Sequence, residues 1–169
     1  GIIIRDNSNS TIENSWIENN NAGILGGAIH IENSSFNISD SEISNNQSNN
    51  SGGAILLSTN SSLIINSSLI EDNLNTVYAS SGGAIEVSYG SSITTSDVVF
   101  KNNHTTDTGG AVRLLGSVGE FYKTTFIDNS AGNCGGGIEA VSSSGLINNC
   151  TFYNNYVGAS FCGGGGRSV

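Results

Sequence analysis

Phe100-Lys101-Asn102-Asn103, followed after a short loop by Gly109-Gly110-Ala111-Val112, is the stretch on which the reading of this chain turns. The same pair of motifs returns as Ile43-Ser44-Asn45-Asn46 before Gly52-Gly53-Ala54-Ile55, and as Phe126-Ile127-Asp128-Asn129 before Gly135-Gly136-Gly137-Ile138. The first residue of the leading motif falls at Ile17, Ile43, Ile70, Phe100, Phe126 and Phe152, and the Gly pair opens at Gly26, Gly52, Gly82, Gly109, Gly135 and Gly163. A fixed period of this size marks stacked supersecondary units, each of which buries its apolar face only against its neighbours. Extra residues enter at one place, between the Asn and the Gly pair, most visibly at 74–81 and 156–162, which reads as a loop.

Within a unit the apolar residues alternate. Ile29 and Ile31, Ile55 and Leu57, Ile85 and Val87, and Val112 and Leu114 follow the Gly pairs with one residue between them, the period of a half-buried strand. A second short strand carries Phe36 and Ile38, Leu63 and Ile65, Ile93 and Thr95, then Val118 and Leu146. The third leads into the aromatic motif. No segment has a helical period. Three short strands and three turns per unit describe an all-β parallel solenoid of about six coils. The chain has no Pro, as suits strands paired on both sides, where a missing amide donor would break a ladder.

The coupled Phe-x-x-Asn and Gly-Gly-Ala-Ile/Leu/Val motifs resemble the repeats of the chlamydial polymorphic outer-membrane proteins and of related cell-surface repeat proteins. The resemblance runs from about Ile12 to Gly166. It implies a right-handed, single-stranded parallel β-helix and a role in adhesion as an autotransporter passenger; no membrane barrel of the kind that completes such a protein is recognisable in these residues.

Physically, the motif residues belong to the scaffold. The aromatic or aliphatic residue points to the core. The Asn three positions later turns the corner, where its amide can bond the Asn of the next coil, so Asn20, Asn46, Asn73, Asn103, Asn129 and Asn155 are expected to form a ladder. The Gly pair permits unusual backbone angles and close packing. The outward positions of the first strand form a second file, His30, Leu56, Glu86, Arg113 and Glu139, with Arg113 between two carboxylates one coil away on either side. This file is expected to be exposed and mutually neutralising, and so without the burial that raises a catalytic acid.

Composition narrows the function classes. A net charge of -9 with five Lys and Arg disfavours nucleic acid as a partner. His30 and His104 have no Cys or acidic pair at metal-ligand spacing, the Asp residues lack calcium-loop spacing, and no phosphate-binding Gly motif opens a helix; no cofactor is implied. No stretch is apolar enough to span a membrane, which leaves this segment without direct membrane insertion.

Cys134 and Cys162 stand immediately before successive Gly pairs, so they occupy the same position in stacked coils. Stacked Cα atoms about 5 Å apart lie within disulfide range, which predicts a Cys134–Cys162 bridge, with Cys150 a small core residue. Asn-x-Ser/Thr triplets add the expectation of an oxidising, glycosylating compartment, extracellular or cell-surface. Asn9, Asn33, Asn37, Asn49, Asn60 and Asn66 are the candidate glycan carriers, whereas the triplets at Asn46 and Asn103 belong to the inward ladder. Both ends read as cut: the expectation is one β-helix domain over residues 1–169, a piece of a longer solenoid without recognisable caps.

The functional expectation is a non-enzymatic surface adhesin or stalk that displays variable loops, with recognition near Tyr78 or near Tyr156 and Phe161. Its partners would be other surface or matrix proteins, or a host or glycan ligand. The alternative is a structural subunit of an extracellular filament, surface hair or matrix fibre that self-associates end to end. A polysaccharide-degrading enzyme using Glu86 and Arg113 is the distant third.

Overall fold

A computed structural model describes residues 1–77 and 81–158. Six coils stack into a parallel solenoid. The first carries strands Ile2–Ile4, Asn9–Glu13, Trp16–Glu18 and Asn21–Ala22, and the fourth carries Ile85–Ser88, Ser92–Ser96, Val99–Lys101 and His104–Thr105. Corresponding strands pair in parallel from coil to coil, giving four six-stranded sheets, with no helix among the described residues. Each coil thus has the three expected strands and a fourth of two residues. That fourth strand occupies the start of the segment read as loop; it is too short for its period to show, and its backbone nevertheless pairs, as in Leu74↔His104 and Asn75↔Thr105.

The Asn and Asp content has a backbone cause. One residue per coil turns each corner in the left-handed region: Asn14, Asp40, Ser67, Asp97, Lys123 and Asn149 between the second and third strands, and Asn19, Asn45, Asp72, Asn102, Asp128 and Asn154 between the third and fourth. Asn and Asp tolerate this region better than other side chains, because their short polar groups bond locally. At the corner that leads into the first strand the two glycines serve different ends. The first, for example Gly52, has φ +59°; the second, Gly53, would place a Cβ 1.9 Å from the carbonyl oxygen of Gly83 in the next coil. One Gly turns the chain and the other lets coils touch.

The core is a set of single-residue files along the axis. Ile17, Ile43, Ile70, Phe100 and Phe126 stack in register and are buried. Phe126 lies parallel to Phe100 at 5.0 Å and to Phe152 at 4.7 Å between ring centroids. In the fifth coil the second strand differs from the expected pattern. Val118 points outward, as does Leu146 in the sixth, and the inward positions are Gly119 and Phe121, in register with Ile93 and Thr95. Phe121 leans over Gly119, where a Cβ would meet its ring at 2.9 Å, so one large side chain fills the volume of two positions.

Candidate functional site

Three kinds of residue repeat once per coil with chemistry to offer: the corner amides, the corner hydroxyls and the outward file of the first sheet. At the inner corner the Asn side chains bond in series. Nδ2 of Asn46 donates to Oδ1 of Asn73 at 3.1 Å and also to the Ile17 carbonyl at 2.9 Å, while the Asn46 backbone N–H donates to the same Asn73 oxygen at 3.0 Å. The pattern continues through Asn73, Asn103, Asn129 and Asn155, and Asn20 heads it. From Asn46 to Asn129 these amides are consumed internally, which leaves no free group there for a ligand.

Beside this ladder run others that the sequence reading missed. Ser8, Ser34, Ser61 and Ser91 form a file in which each backbone N–H of the first three donates to the next hydroxyl. Ser15, Ser41 and Ser68 do the same at the next corner. Cys150 occupies the equivalent place in the sixth coil: its thiol accepts from the Thr124 N–H at 3.4 Å and donates to the Phe121 carbonyl, so it replaces a corner hydroxyl besides packing against the core. One Ser per coil at a fixed offset is a detectable signal, but in a Ser-rich chain it does not stand out. An exposed Asp–Asn file likewise precedes the buried Asn ladder, with Nδ2 of Asn102 on Asp72 and Nδ2 of Asn154 on Asp128.

The outward file of the first sheet runs Ile3, His30, Leu56, Glu86, Arg113, Glu139 in strict register. Its middle is not exposed, contrary to expectation. Leu56 and Glu86 are buried, Glu86 retaining only 6% of its surface. Beside it the residues before each Gly pair, Leu25, Ser51, Ser81, Thr108 and Cys134, pair as a file of isolated bridges, and two of them reach the outward file: Ser51 bonds Glu86 and Ser81 bonds Arg113. Arg113 bonds through Nη1 to Ser81 Oγ at 2.7 Å and through Nε to Glu139 Oε2 at 3.0 Å. Glu86 has no ion pair, and its Oε2 is buried with no hydrogen-bond partner. Burial therefore pushes its carboxyl above the ordinary range, against the opposing pull of Arg113 and a hydrogen bond with Ser51.

The histidines are separate from this cluster. His30 Nε2 lies 3.1 Å from Ser58 Oγ and His104 Nδ1 2.8 Å from Ser130 Oγ, and burial lowers both imidazoles. Among the described residues no three His, Cys, Asp or Glu side chains converge as metal ligands. Tyr156 is half exposed in the two-residue fourth strand of the sixth coil rather than in a loop, its N–H donating to Asn129 O. Tyr78, Phe161 and Cys162 lie outside the described residues, and Cys134 sits beside Thr108 in the bridge file. Of the candidate glycan carriers, Asn9, Asn33, Asn60 and Asn66 are exposed and Asn37 and Asn49 are half-buried; Asn46 and Asn103 are fully buried.

A family model described as the right-handed beta helix region matches residues 27–169. Comparison with curated proteins and with solved structures returns no significant match.

Proposed function

We propose, starting from the chain's membership of the right-handed β-helix family, that it is a non-enzymatic extracellular scaffold, a surface adhesin or stalk whose rigid coils display loops of variable length. Proteins of this fold include both adhesins and polysaccharide-degrading enzymes, so the reading rests on the site. The observation that carries it is Glu86. It is the one carboxylate that burial raises among the described residues, as a general acid requires, yet its unpaired oxygen is buried, where a general acid would have to reach the bond it protonates. The likeness of the Phe-x-x-Asn and Gly-Gly-Ala motifs to the chlamydial surface repeats points the same way. The Cys134–Cys162 bridge, glycans on exposed corners such as Asn33 and Asn60, and an extracellular location belong to this proposal.

The test is to incubate purified protein with a panel of plant, algal and bacterial polysaccharides and, separately, with cells and matrix proteins. Saturable attachment without new reducing or unsaturated ends supports the scaffold reading. Polysaccharide cleavage that disappears in Glu86→Gln or Arg113→Ala overturns it.

The second reading is a filament subunit, favoured by the constant register with which every coil pairs to the next through four parallel six-stranded sheets. Electron micrographs of native material separate the two readings: indefinite fibres select the filament, and discrete particles that bind cells select the adhesin.

A further inference from the structure

The corner between the second and third strands carries an open trough of about 640 Å³ that none of the repeat motifs accounts for. One wall is the file of left-handed corner residues, Asp40 and Asp97 among them; the other is the outward first position of the third strand, Trp16, Glu42, Leu69 and Val99. The trough crosses four coils, so it is roughly 14 Å long at about 4.8 Å per coil and runs along the solenoid axis. We propose that it is a docking site for an extended, lysine- or arginine-bearing segment of a partner protein.

Shape, charge and an exposed aromatic each support this occupant. Trp16, at one end of a file that runs through Glu42 to aliphatic Leu69 and Val99, is 74% exposed, and its open indole offers a face for apolar contact and for a cation. The floor has little left to give a polar ligand, because Ser41 already accepts from the Ser15 N–H and donates to the Ser39 carbonyl. What is unsatisfied is charge. The lining holds three carboxylates and no cation, in a chain of net charge -9.

Asp40 makes no side-chain hydrogen bond or ion pair among the described residues. Glu42 accepts only from Ser44 Oγ, and Asp97 accepts from Ser96 Oγ and has Lys123 at 4.0 Å, with both of those charged groups exposed. A neutral sugar would use the indole and leave this mutual repulsion in place, whereas cationic side chains relieve it. At about 3.3 Å per residue an extended peptide fills the trough with four or five residues. Asp40 and Asp97, roughly 10 Å apart across two coils, then meet cations three residues apart. The site lies away from the loops before the Gly pairs, so it does not depend on their recognising anything.

Trp16 is the only tryptophan of the chain, and its emission therefore reports on this trough alone. The experiment titrates the whole protein with a peptide in which lysine alternates with serine, against a glycine–serine peptide, a neutral oligosaccharide and calcium. The expected result is a saturable emission shift with the lysine peptide only. Its affinity should fall with added salt and drop about fivefold or more in Asp40→Asn/Asp97→Asn, while circular dichroism is unchanged. Calorimetry on Trp16→Phe should show a several-fold loss as well. No saturable shift, an affinity that the double substitution leaves intact, or an equal response to sugar, neutral peptide or calcium overturns the proposal. Cell attachment that survives Asp40→Asn/Asp97→Asn leaves the adhesin reading standing and removes this site alone.

Discussion

Arg113 and Glu86 are paired in register on adjacent coils, yet they form no ion pair. Arg113 instead bonds Glu139 of the following coil and Ser81 of the preceding one, and Glu86 is left as a buried acid with one unsatisfied oxygen. Its carboxyl is raised above the ordinary 4.5 in the fold and not in the unfolded chain. The protonated form is thus the one the fold prefers, and the stability that preference supplies is complete below the unfolded value and lost as pH rises through the folded one. Thermal unfolding should therefore show a midpoint that falls as pH is raised from about 4.5 toward neutrality. Glu86→Gln should flatten that segment of the profile and raise the midpoint at neutral pH. A Glu86→Gln profile with the wild-type slope would contradict the assignment.

The buried amide file makes a second expectation quantitative. Asn103→Ala strips the acceptor from the Asn73 side chain and backbone and the donor from the Ile70 carbonyl. Leaving these groups unmatched in the interior should cost about 2–4 kcal/mol in denaturant unfolding. Asn102→Gly, one residue earlier on the exposed Asp–Asn file, should cost under about 1 kcal/mol, because glycine keeps the left-handed turn and water replaces the lost partner.

Two glycines with opposite surroundings should separate sharply. At Gly83 a Cβ would stand 2.0 Å from the Gly110 carbonyl oxygen and 2.8 Å from the His104 backbone, neither of which can yield. Gly83→Ala is expected to reduce soluble folded yield and to lower stability by several kcal/mol, of the order of other severe steric changes. Gly116 turns at φ +57° with open space around it, so Gly116→Asn should change stability by about 1 kcal/mol or less. Circular dichroism melts of the two variants measure the difference.

Secretion through a glycosylating host tests the compartment. Peptide mapping without reduction should find Cys134 joined to Cys162 and Cys150 alone open to alkylation, and reduction should cost roughly 3 kcal/mol of stability. Sugar is expected on exposed Asn33 and Asn60 and never on Asn46 or Asn103, whose amides lie inside the ladder. Occupancy at Asn46 would mean that the coil is not closed when the glycan is added.

The parts of the fold that the sequence displays are those that repeat with a rare residue. Gly-Gly and Phe-x-x-Asn stand out against a background of Ser and Asn, and they place the first and third strands. The second strand of the fifth coil was hidden because Gly119, an inward position, has no apolar side chain, which shifts the apparent pattern onto outward Val118. The fourth strand was hidden by its length. The surroundings of Glu86 were invisible for a different reason: Ser51 and Ser81, residues of the variable segment, bond Glu86 and Arg113 of a neighbouring coil, and no period within one coil contains those contacts. The trough is similar, since its walls unite positions two residues apart in the chain with their equivalents in three other coils.

The corner amides all face one way: from Asn20 to Asn129, each Nδ2 donates to the Oδ1 of the following coil, and none points back to the preceding Asn. Their dipoles add instead of cancelling, and hydrogen bonds aligned in series strengthen one another. The stack is therefore electrically a vector, with donor character leading and acceptor character trailing. A further coil, whether from the same chain or another molecule, can extend that vector only in the same sense, so joined solenoids of this type must run head to tail.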